Sequence, residues 1–100
     1  MEEETFVNNK KEKRYELHVD GLIAIVEYIL TQGGEIFFTH TEVPARLTGK
    51  GVAARLTEQA LQDVEQQGLK LIPLCPYTAS YVKKHIEQWK HVLRQNVHLT

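Results

Sequence analysis

The sequence predicts an α/β domain of the α+β kind, in which an antiparallel meander is followed by a strand-helix-strand crossover and a C-terminal helix. Three observations predict it. Between Arg14 and Val43 the chain carries strand-like patterning broken by turn residues. At Gly49 the apolar period changes to that of a helix. A short apolar run over residues 69–74 then leads into a second helical pattern. Because a long helix separates that run from the preceding strand, the two strands are expected to lie parallel, joined by a right-handed crossover.

Each element has its own reason. The first dozen residues are polar apart from Phe6 and Val7, which suits an edge strand with a frayed start. Tyr15, Leu17 and Val19 alternate with Glu16, His18 and Asp20, the period-two signature of a half-buried strand. Asp20-Gly21 marks a tight hairpin turn. Leu22–Leu30 is apolar on both faces and rich in β-branched residues, as expected of a central strand. Gly33-Gly34 supplies the next turn, residues 35–43 the next strand, and Pro44 ends its ladder.

The main helix is expected over residues 49–67. Val52, Leu56, Ala60 and Val64 form its apolar stripe, Ala53 and Leu61 widen it, and Gly68 stops it. After the strand at 69–74, Thr78 is expected to cap a last helix. Ala79, Val82, Ile86, Trp89 and Leu93 form the apolar stripe of that helix.

Composition narrows the function. At 100 residues and 42% hydrophobic content the chain is read as one globular domain, residues 1–100. A net charge of -1 provides no electrostatic footprint for nucleic acid or an acidic membrane. Cys75 is the single cysteine, so no internal disulfide forms, and no Cys/His spacing suits a metal site. Residues 1–14 are too charged for a signal peptide. The longest apolar run, Leu22–Leu30, is interrupted by Glu27 and is too short to span a bilayer. The expected location is cytoplasmic.

The glycine turn before the main helix is the chief functional signal. A strand running into a glycine-rich turn and a helix gathers unpaired N–H groups where the helix dipole favours negative charge, which makes a phosphate cradle. Gly49 and Gly51 allow close approach to the backbone, and Arg46, Lys50 or Arg55 can add charge. The plainer alternative is a glycine-tolerant helix start. A Walker A loop is excluded because Lys50 is followed by Gly51 rather than Ser or Thr. Residues 49–54, GKGVAA, fit the G-x-G-x-x-A dinucleotide fingerprint. The place where that motif wants an acidic residue, however, holds Cys75 and Pro76.

The third pattern, Arg46-x-x-Gly49-x-Gly51, resembles the pyrophosphate loop of the GNAT acetyltransferase superfamily. With HTEVPARLTGKGVAARL and GLKLIPLCPYTASYVKKH, the chain is similar from His40 to His85 to the small stand-alone GNAT-like proteins of NATD and YjdJ type. The resemblance implies a GNAT-like fold whose parallel strand pair splays apart to admit the cofactor acetyl-CoA, and an N-acetyltransferase activity. It puts the pantetheine arm on the backbone of Thr41, Glu42 and Val43. It puts the pyrophosphate near Arg46 and on the amides of Gly49, Lys50, Gly51, Val52 and Ala53.

The same resemblance implies catalytic roles. Cys75 is the candidate nucleophile or active-site thiol, against the alternative of a small buried hydrophobe. Tyr81 is placed to protonate a departing thiolate, with Tyr77 as the nearby substitute, and either ring can equally be a packing group. His40, read from its place before the pantetheine strand residues and not from the resemblance, is a candidate base near neutral pH, or a structural or solvated strand histidine. The acceptor is an unidentified amine, on a small molecule or a protein lysine. A coenzyme A binding or sensing module without turnover is the rival reading, and a monomer or weak homodimer is expected. The similar proteins tend to read HPE after the lysines, where this chain has His85-Ile86-Glu87, so its last helix is expected to run on unbroken.

Overall fold

The computed structural model describes residues 3–99. Strands β1 (Glu4–Asn9), β2 (Arg14–Val19), β3 (Leu22–Leu30) and β4 (Glu35–Glu42) pair antiparallel in sequence, and β5 (Lys70–Pro73) joins β4 in parallel. Spatial order therefore follows chain order, β1-β2-β3-β4-β5. Asp20 and Gly21 take φ of 51° and 80°, so the β2–β3 hairpin closes with the two left-handed residues its strand twist requires.

Helix α1 (Val52–Gln66) crosses between β4 and β5. It begins three residues later than the periodicity suggests, because Gly49 and Gly51 sit at φ 83° and 72° and cannot belong to it. A 3₁₀ turn, Ala45–Leu47, comes first and anchors the loop by burying Leu47. At the far end Gly68 is left-handed. Its N–H reaches Glu65 O, while that of Leu69 reaches Val64 O, the paired bonds of a Schellman stop.

The core lies between α1 and one sheet face. Tyr15, Leu17, Val26, Ile36 and Phe38 meet Val52, Leu56, Ala60, Leu61 and Val64, all fully or nearly buried. Among the described residues, α1 is the helix packed on β2 and β3. The opposite face of β3 is therefore not covered as a two-sided central strand would be: Ile23 and Ile29 are 41% and 56% exposed. No described helix is long and apolar enough to cross a membrane.

The C-terminal expectation needs correction. Helix α2 (Pro76–Lys84) is capped by Cys75, not Thr78, because proline favours the first helical position and holds the residue before it extended. The helix also breaks at His85 without a proline. A short α3 (Ile86–Trp89) and a 3₁₀ turn (Lys90–Val92) follow, burying Trp89 and Val92. Leu93 then lies alongside Leu71, and Arg94 N–H donates to Leu71 O at 3.0 Å. An unbroken helix would carry Leu93 away from that sheet edge. Tertiary packing outweighs local helical period here.

Glu16 points to the face without a helix, as alternation requires, yet it is only 4% exposed. Arg14 Nε, Asn9 Nδ2 and His18 Nε2 surround its carboxylate at 2.7, 2.8 and 2.8 Å. Burial raises its pKa, but the bonds from Arg14, Asn9 and His18 and the charge of Arg14 outweigh this and bring it to about 2. A carboxylate depressed in the folded state stabilises the fold above its unfolded pKa, and that contribution disappears as pH falls through the folded value. Urea unfolding should accordingly show stability lost between about pH 4.5 and 2. Glu16→Gln should remove roughly 2 kcal/mol at pH 7 and flatten that acid limb.

Candidate active site

The site begins where β5 leaves β4. Their ladder runs from Glu35 opposite Lys70 to Phe38 opposite Pro73 and ends there. Cys75 N–H closes it by donating to Phe38 O at 2.8 Å. Beyond Phe38 no described strand pairs with this edge of β4, so the parallel pair is splayed over residues 39–42.

A β-bulge sharpens the departure. Tyr28 pairs with Phe38 but Glu27 with His40, leaving Thr39 as the extra residue, its hydroxyl donating to Glu27 O at 3.2 Å. An extra residue reverses the side on which every later side chain falls. Thr41, opposite Val26, therefore shares the α1 face with Phe38, and His40 takes the other face.

That reversal brings Thr41 to Cys75. The hydroxyl and the thiol are 3.3 Å apart, and Cys75 is 3% exposed. Burial raises the thiol pKa, but the Thr41 hydroxyl, the Thr78 amide and hydroxyl and the Tyr77 amide together hold it below the ordinary cysteine value. The amides are those of the second and third residues of α2, which have no intrahelical acceptor. Thr78 was legible only as a possible cap. Its hydroxyl is fully buried and has no nitrogen or oxygen partner among the described residues.

The glycine turn lies beyond the same end of β4. Gly51 is the N-cap of α1, with no side-chain cap and no acidic residue in the first turn, so the amides there keep their positive field. A Cβ at Gly49 would enter open space, whereas one at Gly51 would come 3.3 Å from Arg55 Nη1. Arg46 and Lys50 are exposed on the turn, and Val52 is buried beneath it. Arg55 is tied down: Nη1 donates to Lys50 O at 2.8 Å and Nε to Glu4 at 3.0 Å. Nothing in the sequence signals that link, because its partners lie 51 residues apart.

The remaining candidates divide. Tyr77, Tyr81 and His85 form one stripe along α2, with ring centroids 6.4 and 4.5 Å apart. Burial raises the pKa of both tyrosines, and nearby Glu58 adds to the rise at Tyr81, so its hydroxyl stays protonated. Val43 packs half-buried against the core. Glu42 and His40 stand together in solvent with 3.9 Å between Oε2 and Nε2, on the face away from Cys75.

If the Thr41 hydroxyl helps to hold the thiol, Thr41→Val should raise the Cys75 pKa. Thiolate absorbance followed against pH in the two proteins checks this, and superimposed titrations would exclude the contact.

Comparison with known proteins agrees with this architecture. A family profile described as GCN5-related N-acetyl-transferase matches residues 14–92. Protein NATD1 of Gallus gallus is 30% identical over 83 residues, covering 78% of this chain and 73% of that protein. Protein NATD1 of Xenopus tropicalis is 27% identical over 82 residues, with the same coverage of each. A meander, a splayed parallel pair and an uncapped glycine turn at the crossover helix thus occur in a chain that belongs to the GCN5-related N-acetyl-transferase family.

Proposed function

We propose that this chain binds acetyl-CoA along β4 and at the start of α1, and transfers the acetyl group to an amine of a small molecule or a protein lysine. The observation that supports it most is the unpaired edge of β4 at residues 39–42, which opens beside Cys75 and leads to the uncapped N-terminus of α1. Bound there, acetyl-CoA would supply an activated acyl thioester.

The residues present fit such a molecule. Backbone groups of Thr41, Glu42 and Val43, beyond the last β5 partner, suit the amides of a pantetheine arm. The amides of Gly49, Gly51, Val52 and Ala53 suit a pyrophosphate, whereas Lys50 N–H already donates to Leu47 O at 3.3 Å; Arg46 on the same loop is a further cation. Cys75 holds a thiol of increased acidity, fit to attack or to orient an acyl group. Tyr81 carries a hydroxyl proton for a leaving thiolate, although burial and Glu58 make it a weaker acid than an ordinary tyrosine, and the more exposed Tyr77 is the second choice. His40 is the weakest member, since reaching an amine at the gap requires a proton relay around β4.

One observation favours a second reading, a coenzyme A binding module without turnover. The face of β2 and β3 opposite α1 carries no described helix that could wall an acceptor site. Release of free CoA with an amine, above the hydrolysis background, decides between the two.

An amide NMR titration with acetyl-CoA, run beside NADH and ATP, should give saturable shifts at Gly49 to Ala53 and around Cys75 with acetyl-CoA alone. Silence at those amides would sink both readings. Gly49→Val, which forces a β-branched residue to φ 83°, should weaken binding by roughly tenfold or more, about 1.4 kcal/mol. Cys75→Ala should bind within twofold of the parent while turnover falls by roughly 100-fold; undiminished turnover would exclude an essential thiol.

A further inference from the structure

A cavity of about 270 Å³ lies at the other end of the α1-facing side of the sheet, between the β1–β2 hairpin, the β3–β4 turn and the last turn of α1. Along β4, Ile36 in its wall is five residues from Thr41, roughly 17 Å at strand spacing. It is therefore separate from the gap beside Cys75.

The cavity has an apolar interior and a cationic rim. Tyr15, Tyr28, Ile36 and Leu69 line it, and Leu30, 49% exposed, forms an apolar wall open to solvent. The polar atoms of its floor are already engaged with one another. Tyr15 Oη donates to Asp63 Oδ2 at 2.7 Å, Tyr28 Oη to Asn8 Oδ1 at 2.7 Å, and Asn8 Nδ2 to Asp63 Oδ2 at 3.3 Å. Gln67 Nε2 donates to the same Asp63 oxygen, so three neutral donors satisfy the one carboxylate of the floor, and the two lysines at the mouth outnumber its remaining charge.

Lys10 and Lys13 stand at the mouth, both exposed, and neither makes an ion pair among the described residues. The carbonyls of Val64 and Glu65 at the end of α1 are bonded by Leu69 and Gly68 and so do not compete for the lysines as hydrogen-bond acceptors. Lys13 also holds φ 58°, where glycine or asparagine would be less strained, so its side chain is kept at the cavity at some conformational cost. Two ammonium groups above a hollow whose accessible apolar wall is Leu30 and Leu69 match an anionic head on an apolar body. Neither a guanidinium fork nor a helix N-terminus is present to cradle a phosphate dianion. The volume is just below the range usual for drug-sized ligands, about 300–1,000 Å³, and suits a small one.

We propose that this cavity is a second binding site, independent of the acyl-donor site, for a small monocarboxylate with an aromatic or branched apolar body. The carboxylate sits between Lys10 and Lys13, and the apolar body lies against the exposed Leu30 and the half-buried Leu69, above the buried tyrosine floor.

The test titrates the labelled full chain with phenylacetate and isovalerate, using phenylacetamide as the uncharged control. The expected result is saturable shifts at the amides of Asn8, Lys13, Leu30 and Leu69 with at least one acid and not with the amide. Binding should be at least tenfold weaker in the Lys10→Gln, Lys13→Gln double variant. Leu30→Asp, which places a negative charge at the mouth, should weaken it as well. Absent shifts with both acids, equal shifts with phenylacetamide, or undiminished affinity in the double variant would overturn the proposal. Acetyl-CoA added to the same samples reports separately on Gly49 to Ala53, so failure at one site is distinguishable from failure at the other.

Discussion

The parting of β5 from β4 after Phe38 is the constraint on which the rest of the site depends. Pro73 contributes no N–H, and Leu74 N–H turns back to Ile72 O. Only Cys75 reaches across to Phe38 once more before Pro76 starts α2. Within three residues the chain has left the sheet, opened an unpaired strand edge and placed a cysteine at a helix N-terminus. These are consequences of one proline-bracketed turn.

The bulge at Thr39 acts on the partner strand. Without the extra residue, strict alternation would put His40 on the side of Phe38 and Thr41 on the other. With it, the hydroxyl faces the thiol and the imidazole faces solvent beside Glu42. A single residue of register thus selects which side chain attends Cys75. The choice is electrostatically consequential, because a hydroxyl can donate to a thiolate without adding a charge of its own to a buried site.

One-sided cover explains much of what remains. With α1 alone over β2 and β3, the core is built from alternate residues of each strand, and the other alternates must be either polar or tolerably exposed. Ile23 and Ile29 remain exposed, while Glu16 is satisfied by Arg14, Asn9 and His18 rather than by solvent. At the opposite end, the Tyr15 and Asn8 bonds to Asp63 tie the first two strands to the last turns of α1, and Gln67 braces the same carboxylate from within the helix end. The sheet edge and the helix are thereby fastened where hydrophobic contact runs out.

The sequence by itself determined the strand order, the hairpin at Asp20-Gly21, the apolar stripe of α1 and its stop at Gly68. It marked the glycine turn before α1 as a site, although the left-handed φ of Gly49 and Gly51, which delays the helix to Val52, came only with the structure. All but the strand order depend on periodicity or on φ preferences that act between near neighbours, and the order follows from hairpin and crossover connection rules. The pattern Arg46-x-x-Gly49-x-Gly51 and the LCPY run were enough to point to the family. Tertiary structure alone decided that Thr41 rather than His40 meets Cys75, and that Arg55 binds Glu4. It also decided that Glu16 is buried and that the last helix breaks at His85. The first two join residues 34 and 51 positions apart. The others depend on which surfaces α1 covers and on how Trp89, Val92 and Leu93 pack. Local pattern carries no record of such contacts, because their free energy exists only once the strands and helices have docked.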